Sequence, residues 1–264
     1  MPTLAHDGAE LNYTDTGSGP PLLFLHGLGS SSDDWELQVA HFAGRYRVLA
    51  LDFRSSGQSR DLRQPNGPFT VAQFASDARA LIESLTLGPT HVVGLSLGGA
   101  VAFQLACDAP ALMRTMTICN STPSFQVTGL AAHATILLRR VVTWVKGPRG
   151  MAQLLAPKLF PAPEHAALRA KFIERMARNR PGAYAASQRA VLGWGVADRL
   201  PSIEVPTLVV GAEFDYPFLA NKQVWVRRMP NARYVEVPGT HHALPIEAPA
   251  AFNEVLDEFL REHA

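Results

Sequence analysis

His91-Val92-Val93-Gly94-Leu95-Ser96-Leu97-Gly98-Gly99-Ala100 is the stretch that decides the fold. The apolar run His91 to Val93 enters a Gly-x-Ser-x-Gly turn, and an apolar stretch from Ala100 to Cys107 leaves it. That pattern predicts a buried strand, a very tight turn and a helix. The spacing has a chemical reason. A sharp turn at a strand end holds Ser96 in a strained conformation, and Gly94 and Gly98 lack the Cβ atoms that would collide there. The hydroxyl then stands at a helix N-terminus, whose free N–H groups and positive partial charge suit an oxyanion. The competing reading is a glycine-rich turn with an idle serine.

Working outward, further short apolar runs end in polar or glycine-rich turns. They are Leu22 to Leu25, Arg47 to Leu51, Thr115 to Cys119, Thr207 to Val210 and Tyr234 to Val237. Runs that are apolar on both faces suit central strands of a parallel sheet covered by helices. Helical periodicity lies between them. Val71, Phe74, Ala75, Ala78, Leu81, Ile82 and Leu85 recur at 3.6 residues, with Thr70 and Gln73 as a capping signature. Phe252, Val255, Leu256, Phe259 and Leu260 mark a last helix, with Pro249 near its first turn. The expected class is α/β, a doubly wound and mostly parallel sheet.

Residues 121–200 break that rhythm and read as consecutive helices punctuated by Pro148, Pro157, Pro161, Pro163 and Pro181. The expected organisation is a core of residues 1–120 and 201–264 with a helical cap inserted at 121–200. The cap holds 12 Lys and Arg against Glu164, Glu174 and Asp198, a formal +9, and the rest of the chain sums to −8. Such a field attracts an anionic substrate or acidic carrier. Arg139 and Arg140, which interrupt the most apolar cap stretch, are the candidate substrate-binding residues. The plainer alternative is a solvated basic surface.

Length and composition set the outer bounds. At about 150 residues per domain, 264 residues make one large domain or one domain with an insertion. A composition of 47% apolar and 18% charged residues excludes disorder and collagen. The net charge of +1 argues against a general nucleic-acid binder. Cys107 and Cys119 make no disulfide framework and read as buried hydrophobes of a reducing compartment. No run approaches the ~18–20 apolar residues of a spanning helix, and no signal peptide is read at the N-terminus. The expectation is a cytoplasmic protein, monomer or homodimer, with no membrane or nucleic-acid partner.

A serine hydroxyl needs a base. His241 and His242 follow the apolar run Tyr234 to Val237, so a loop delivers imidazole over the sheet edge that carries Ser96. An acid should orient it. Asp215 follows the run Val209 to Phe214; Glu213 is the alternative, and Asp215 capping the next helix is the plain reading. A metal site on the paired histidines lacks an obvious third ligand. An oxyanion needs two aimed N–H donors. Leu97, just after the serine, supplies one. Leu25-His26-Gly27-Leu28-Gly29 offers the other at Leu28, with His26 read as structural.

With these residues in place, the sequence resembles the α/β-hydrolase superfamily over nearly its whole length. The matching segments are Gly19 to Gly29, Leu51-Asp52-Phe53-Arg54-Ser55-Ser56-Gly57-Gln58-Ser59, Gly94 to Gly99, Asp215, and His242 with Glu247 and Pro249 five and seven residues on. That last register selects His242 over His241. Two departures stand out. Ser55 occupies a position where the family has glycine, and three residues separate Gly211 from Asp215 where the family has two. The resemblance is to cap-bearing enzymes such as 3-oxoadipate enol-lactonases, carrier-protein methyl esterases and meta-cleavage-product hydrolases. Serine at the elbow argues against the similar haloalkane dehalogenases and epoxide hydrolases, which place aspartate there.

The resemblance implies hydrolysis of a small-molecule carboxylic ester or lactone, anionic or carrier-linked among the options, through an acyl-serine. Ser96 is then nucleophile, His242 base, Asp215 its partner, and Leu28 and Leu97 the oxyanion donors. No cofactor and no metal are implied. The same residues suit carbon–carbon hydrolysis of a vinylogous diketone acid, or acyl transfer. A ligand-binding receptor on this scaffold is the rival from another class.

Overall fold

Leu23 and Leu25 pack into one apolar cluster while Leu22 and Phe24 pack into another. The same alternation separates Leu49 and Leu51 from Val48 and Ala50. A strand whose successive side chains feed two cores is a sheet buried on both faces. The computed structural model describes residues 1–219 and 221–264.

Its strands are β1 (Thr3–His6), β2 (Ala9–Thr16), β3 (Pro21–Leu25), β4 (Arg47–Leu51), β5 (Arg60–Asp61), β6 (Thr90–Leu95), β7 (Met113–Cys119), β8 (Thr207–Phe214) and β9 (Ala232–His241). Its helices are α1 (Glu36–Phe42), α2 (Val71–Ser84), α3 (Leu97–Asp108), α4 (Leu130–Leu159), α5 (Ala166–Ala177), α6 (Pro181–Val191), α7 (Lys222–Val226), α8 (Leu244–Glu247) and α9 (Pro249–Glu262). The sheet runs β1-β2-β4-β3-β6-β7-β8-β9, with β5 on β2. Every pairing from β4 to β9 is parallel. β1, β2 and β5 add an antiparallel edge.

The six apolar runs lie in β3, β4, β6, β7, β8 and β9, as expected for the α/β class. Thr70 caps α2, its hydroxyl accepting from the Gln73 amide at 3.1 Å. Pro249 opens α9, where a missing N–H costs nothing.

Between β7 and β8 the chain makes α4, α5 and α6. Gly147 breaks α4 with φ 63°, and Pro148 follows it. Side chains then tie this segment to the loop after β3. Arg175 pairs with Asp34 at 3.0 Å, and the Asn179 amide donates to the Gly29 carbonyl at 2.8 Å. On α4 the outer face carries Leu130, Leu137, Val141 and Trp144 in the open, while Arg139 is half-buried on the opposite side. Among the described residues no helix is long and apolar enough to cross a membrane.

Candidate active site

Ser96 has φ 55° and ψ −111°, and α3 starts at the next residue. A non-glycine residue there is strained by roughly 1–3 kcal/mol, so its surroundings must hold it. They do. The Ser96 amide donates to the Cys119 carbonyl at 3.0 Å, and the Ser121 hydroxyl donates to the Ser96 carbonyl at 2.6 Å. A Cβ on Gly94 would run into the Gly98 carbonyl, and one on Gly98 would run into the carbonyl of Leu25. Strand β3, the turn and α3 are therefore packed backbone to backbone.

The loop after β3 lies over this elbow. A Cβ on Gly27 would sit 3.7 Å from the Ser96 Cβ. His26 fixes the loop from inside: its Nδ1 donates to the Gly27 carbonyl at 2.8 Å, and its Nε2 accepts from the Phe53 amide at 3.1 Å. Burial holds that imidazole below its ordinary pKa, against the pull of Asp52, which keeps it neutral in both roles. Leu97 is buried at the first turn of α3, where its N–H has no intrahelical acceptor.

His242 Nδ1 lies 2.6 Å from Asp215 Oδ1. Glu213 is placed elsewhere, accepting from the Gly239 amide at 2.7 Å. Beyond Ala212, which pairs with Val237, the β8–β9 register shifts, β9 taking the surplus residues before Phe214 pairs with His241, and Asp215 and His242 follow directly on that pair. His241 turns to Glu247 instead, Nδ1 to Oε1 at 2.8 Å, and its amide donates to Oε2 at 2.6 Å. Glu247 thus anchors the loop that presents His242.

Burial works to raise the Asp215 carboxyl, but the hydrogen bonds and charges of His242 and Lys222 outweigh it and hold the group below its usual value. Burial pushes the Cys119 thiol up, which fits a packing role.

Ser55, in place of the family's glycine, has φ 61°, so the backbone adopts the left-handed turn despite the side chain. Its hydroxyl accepts from Arg180 at 3.3 Å.

Of Arg139 and Arg140, one approaches the Asp215–His242 pair. The Arg139 guanidinium lies 5.5 Å from the Tyr216 ring centroid, and that ring lies 4.4 Å from the His242 ring. Arg140 is exposed on the helix.

Sequence reasoning missed three participants. Asn120, buried at the end of β7, donates to the His242 carbonyl at 2.9 Å and accepts from the Ala212 amide at 2.8 Å. It cross-links the elements carrying Asp215 and His242. Tyr216 follows Asp215 directly, which is the one signal that marked it. Lys222 donates to Asp215 Oδ2 at 2.6 Å, and no spacing rule pointed to it. Among the described residues no three His, Cys, Asp or Glu side chains gather as metal ligands would.

A strained serine turn at the C-terminal edge of a parallel sheet, with an Asp–His contact just past the strands beyond it, is an arrangement that a class of hydrolases shares. Residues 22–255 match the alpha/beta hydrolase family, and the chain belongs to it. It is 28% identical over 268 residues to the putative carbamate hydrolase RutD of Azorhizobium caulinodans, covering 98% of each chain. Among solved structures it superposes on the enol-lactonase from Burkholderia xenovorans LB400 with TM-score 0.89 and 26% identity, over 98% of this chain and 100% of that one. A malate-bound thermophilic esterase from Thermogutta terrifontis gives TM-score 0.85 and 27% identity, over 99% and 97%. The protein is a hydrolase of this family.

Proposed function

We propose that the protein hydrolyses an anionic carboxylic ester or lactone through an acyl intermediate on Ser96. The observations that carry this reading are the 2.6 Å contact of His242 Nδ1 with Asp215 and the strained backbone of Ser96 at the start of α3. With Nδ1–H committed to the carboxylate, Nε2 keeps its lone pair for the serine proton.

Ser96 Oγ attacks the acyl carbon while His242 Nε2 takes its proton. The Leu28 and Leu97 N–H groups receive the negative oxygen. Collapse breaks the acyl C–O bond, and the leaving oxygen takes the proton back from His242. In a lactone that oxygen stays tethered. Water, deprotonated by His242, then attacks the acyl-serine; the bond from the acyl carbon to Ser96 Oγ breaks, Oγ takes the proton back from His242, and the acid is released.

Arg139 supports the anionic substrate. It is half-buried, borne on the inserted helices, and stacked through Tyr216 onto the base. A guanidinium so placed pairs with a carboxylate through two N–H donors. Residues 121–200 then act as the cap that brings this charge to the site, and Arg140 adds to the surrounding field.

Two measurements test the reading. The first is turnover of a panel of aryl esters of graded acyl length, with and without a terminal carboxylate, alongside lactones and ring-cleavage diketone acids. Carboxylate-bearing esters or lactones should lead; selective cleavage of the diketone acids would move the reaction to carbon–carbon hydrolysis. The second is peptide mapping after treatment with a serine-directed phosphonate. The adduct should fall on Ser96, and an adduct elsewhere would contradict the assignment.

A further inference from the structure

Lys222 opens α7, and its side chain is 2% exposed. An ammonium buried so deeply needs a close counter-charge. Its partner is Asp215, itself 3% exposed, through Oδ2 at 2.6 Å. The other oxygen, Oδ1, meets His242 Nδ1 at 2.6 Å and accepts from the Tyr216 amide at 2.7 Å. One buried carboxylate is thus shared between a permanent cation and the ring that becomes cationic in each turnover.

The remaining charged or titratable neighbours come from every packed element. Cys119 at the end of β7 and Tyr234 of β9 feel the Asp215 charge, and Arg139 of α4 lies over Tyr216. His241 of β9 is held by Glu247 of α8. Of these, Lys222 is the cation that touches the carboxylate.

We propose that Lys222 is a positioning residue of the hydrolytic site: it locks the Asp215 carboxylate so that Oδ1 faces His242, and its charge tempers the pull of Asp215 on the imidazolium. The proposal rests on the reading of Ser96, His242 and Asp215 as the catalytic groups. A carboxylate held at one oxygen alone turns about its Cβ–Cγ bond, which is a soft torsion. Held at both, it presents one lone pair in one direction. The electrostatic part has a definite sign. A nearby cation disfavours protonation of the ring, so its removal raises the pH at which the ring loses its proton.

The experiment compares Lys222→Gln, Lys222→Met and Lys222→Arg with the native protein and with Ser96→Ala and His242→Ala. Rates are taken per folded protein, against pH, on a neutral ester. In Lys222→Gln and Lys222→Met, kcat should fall roughly 10–100-fold through lost alignment, with KM within about twofold. The acid limb of kcat/KM should move up by roughly half to one pH unit. Lys222→Arg, which keeps the charge, should restore the limb and most of kcat. An unmoved limb with unchanged kcat, or an arginine no better than glutamine, would overturn the proposal.

A measurement on the native protein does not depend on the variants folding. The Lys222 Nζ resonance, assigned through Lys222→Arg, should titrate with the midpoint of the acid limb and lose that step in His242→Ala. A flat response overturns the proposal. Retained turnover in Ser96→Ala or His242→Ala would overturn the catalytic reading itself. Inactive controls with an unmoved limb would remove only Lys222.

Discussion

Phe214 of β8 pairs with His241 of β9 beyond a shift in strand register, and the next residue on each side, Asp215 and His242, meet at 2.6 Å. The Phe214 and His241 rings also touch, with centroids 5.3 Å apart.

From this placement the two candidate acids separate. Asp215→Asn should lose about 10⁴-fold in kcat, because the amide no longer fixes the imidazole tautomer. It should also lower stability, since it leaves the Lys222 ammonium without its charge partner. Glu213→Gln weakens a hydrogen bond to an exposed amide of β9 and should cost about 1 kcal/mol or less, with turnover near native. Steady-state kinetics and thermal unfolding of the two variants check both statements.

The two histidines separate in the same way. His242→Ala should fall close to the level of a missing nucleophile, roughly 10⁴–10⁶ in kcat. His241→Ala leaves the Glu247–amide bond at 2.6 Å in place and should keep substantial activity, with a modest loss of stability. The reverse ranking would hand the base to His241.

Arg139 and Arg140 are neighbours in sequence with different expected effects. Arg139→Gln should reduce kcat/KM for a carboxylate-bearing ester and spare a neutral ester of equal size. Arg140→Gln, on an exposed residue, should change the anion preference little. In the native protein the preference should shrink between 20 and 500 mM salt only in its long-range part, because exposed charges are screened beyond about 8–10 Å near 0.15 M. Equal values for both esters at every salt concentration would return the substrate to a neutral ester or lactone.

His91, on the strand leading to Ser96, supplies a pH dependence. Burial, with Arg114 and His263 nearby, lowers its pKa to about 4, and its Nδ1 is paired with the Thr115 hydroxyl at 2.8 Å. The unfolded chain takes up this proton near 6.5. Between those values the unfolded state binds more protons, so stability is complete above about pH 6.5 and declines toward pH 4. The full span is on the order of 3 kcal/mol. Denaturant midpoints across that range should fall in the native protein and fall less in His91→Gln.

Much of this architecture is legible in the sequence, for a physical reason. Leu22 to Leu25 and Val48 to Leu51 feed two cores, so every residue is apolar and the run is visible without partners. The elbow is legible because sterics allow only small residues at Gly94 and Gly98. The edge strands β1 and β2 are not. Asn12 of β2 is buried through a bond from its amide to the Ser59 hydroxyl at 2.7 Å, a contact 47 residues away in sequence. Lys222 and Asn120 stay hidden for the same reason. Each acquires its partner through the chain path between elements, and neither lies at a spacing that local periodicity records.

Every role assigned to the site depends on Ser96 forming the acyl intermediate. The most direct measurement is turnover by pure Ser96→Ala on the best ester or lactone of the panel, with circular dichroism to confirm the fold. A loss of roughly 10⁴–10⁶ in kcat with native unfolding behaviour is the predicted result. Retention of more than a few per cent of native activity by that folded variant would contradict it.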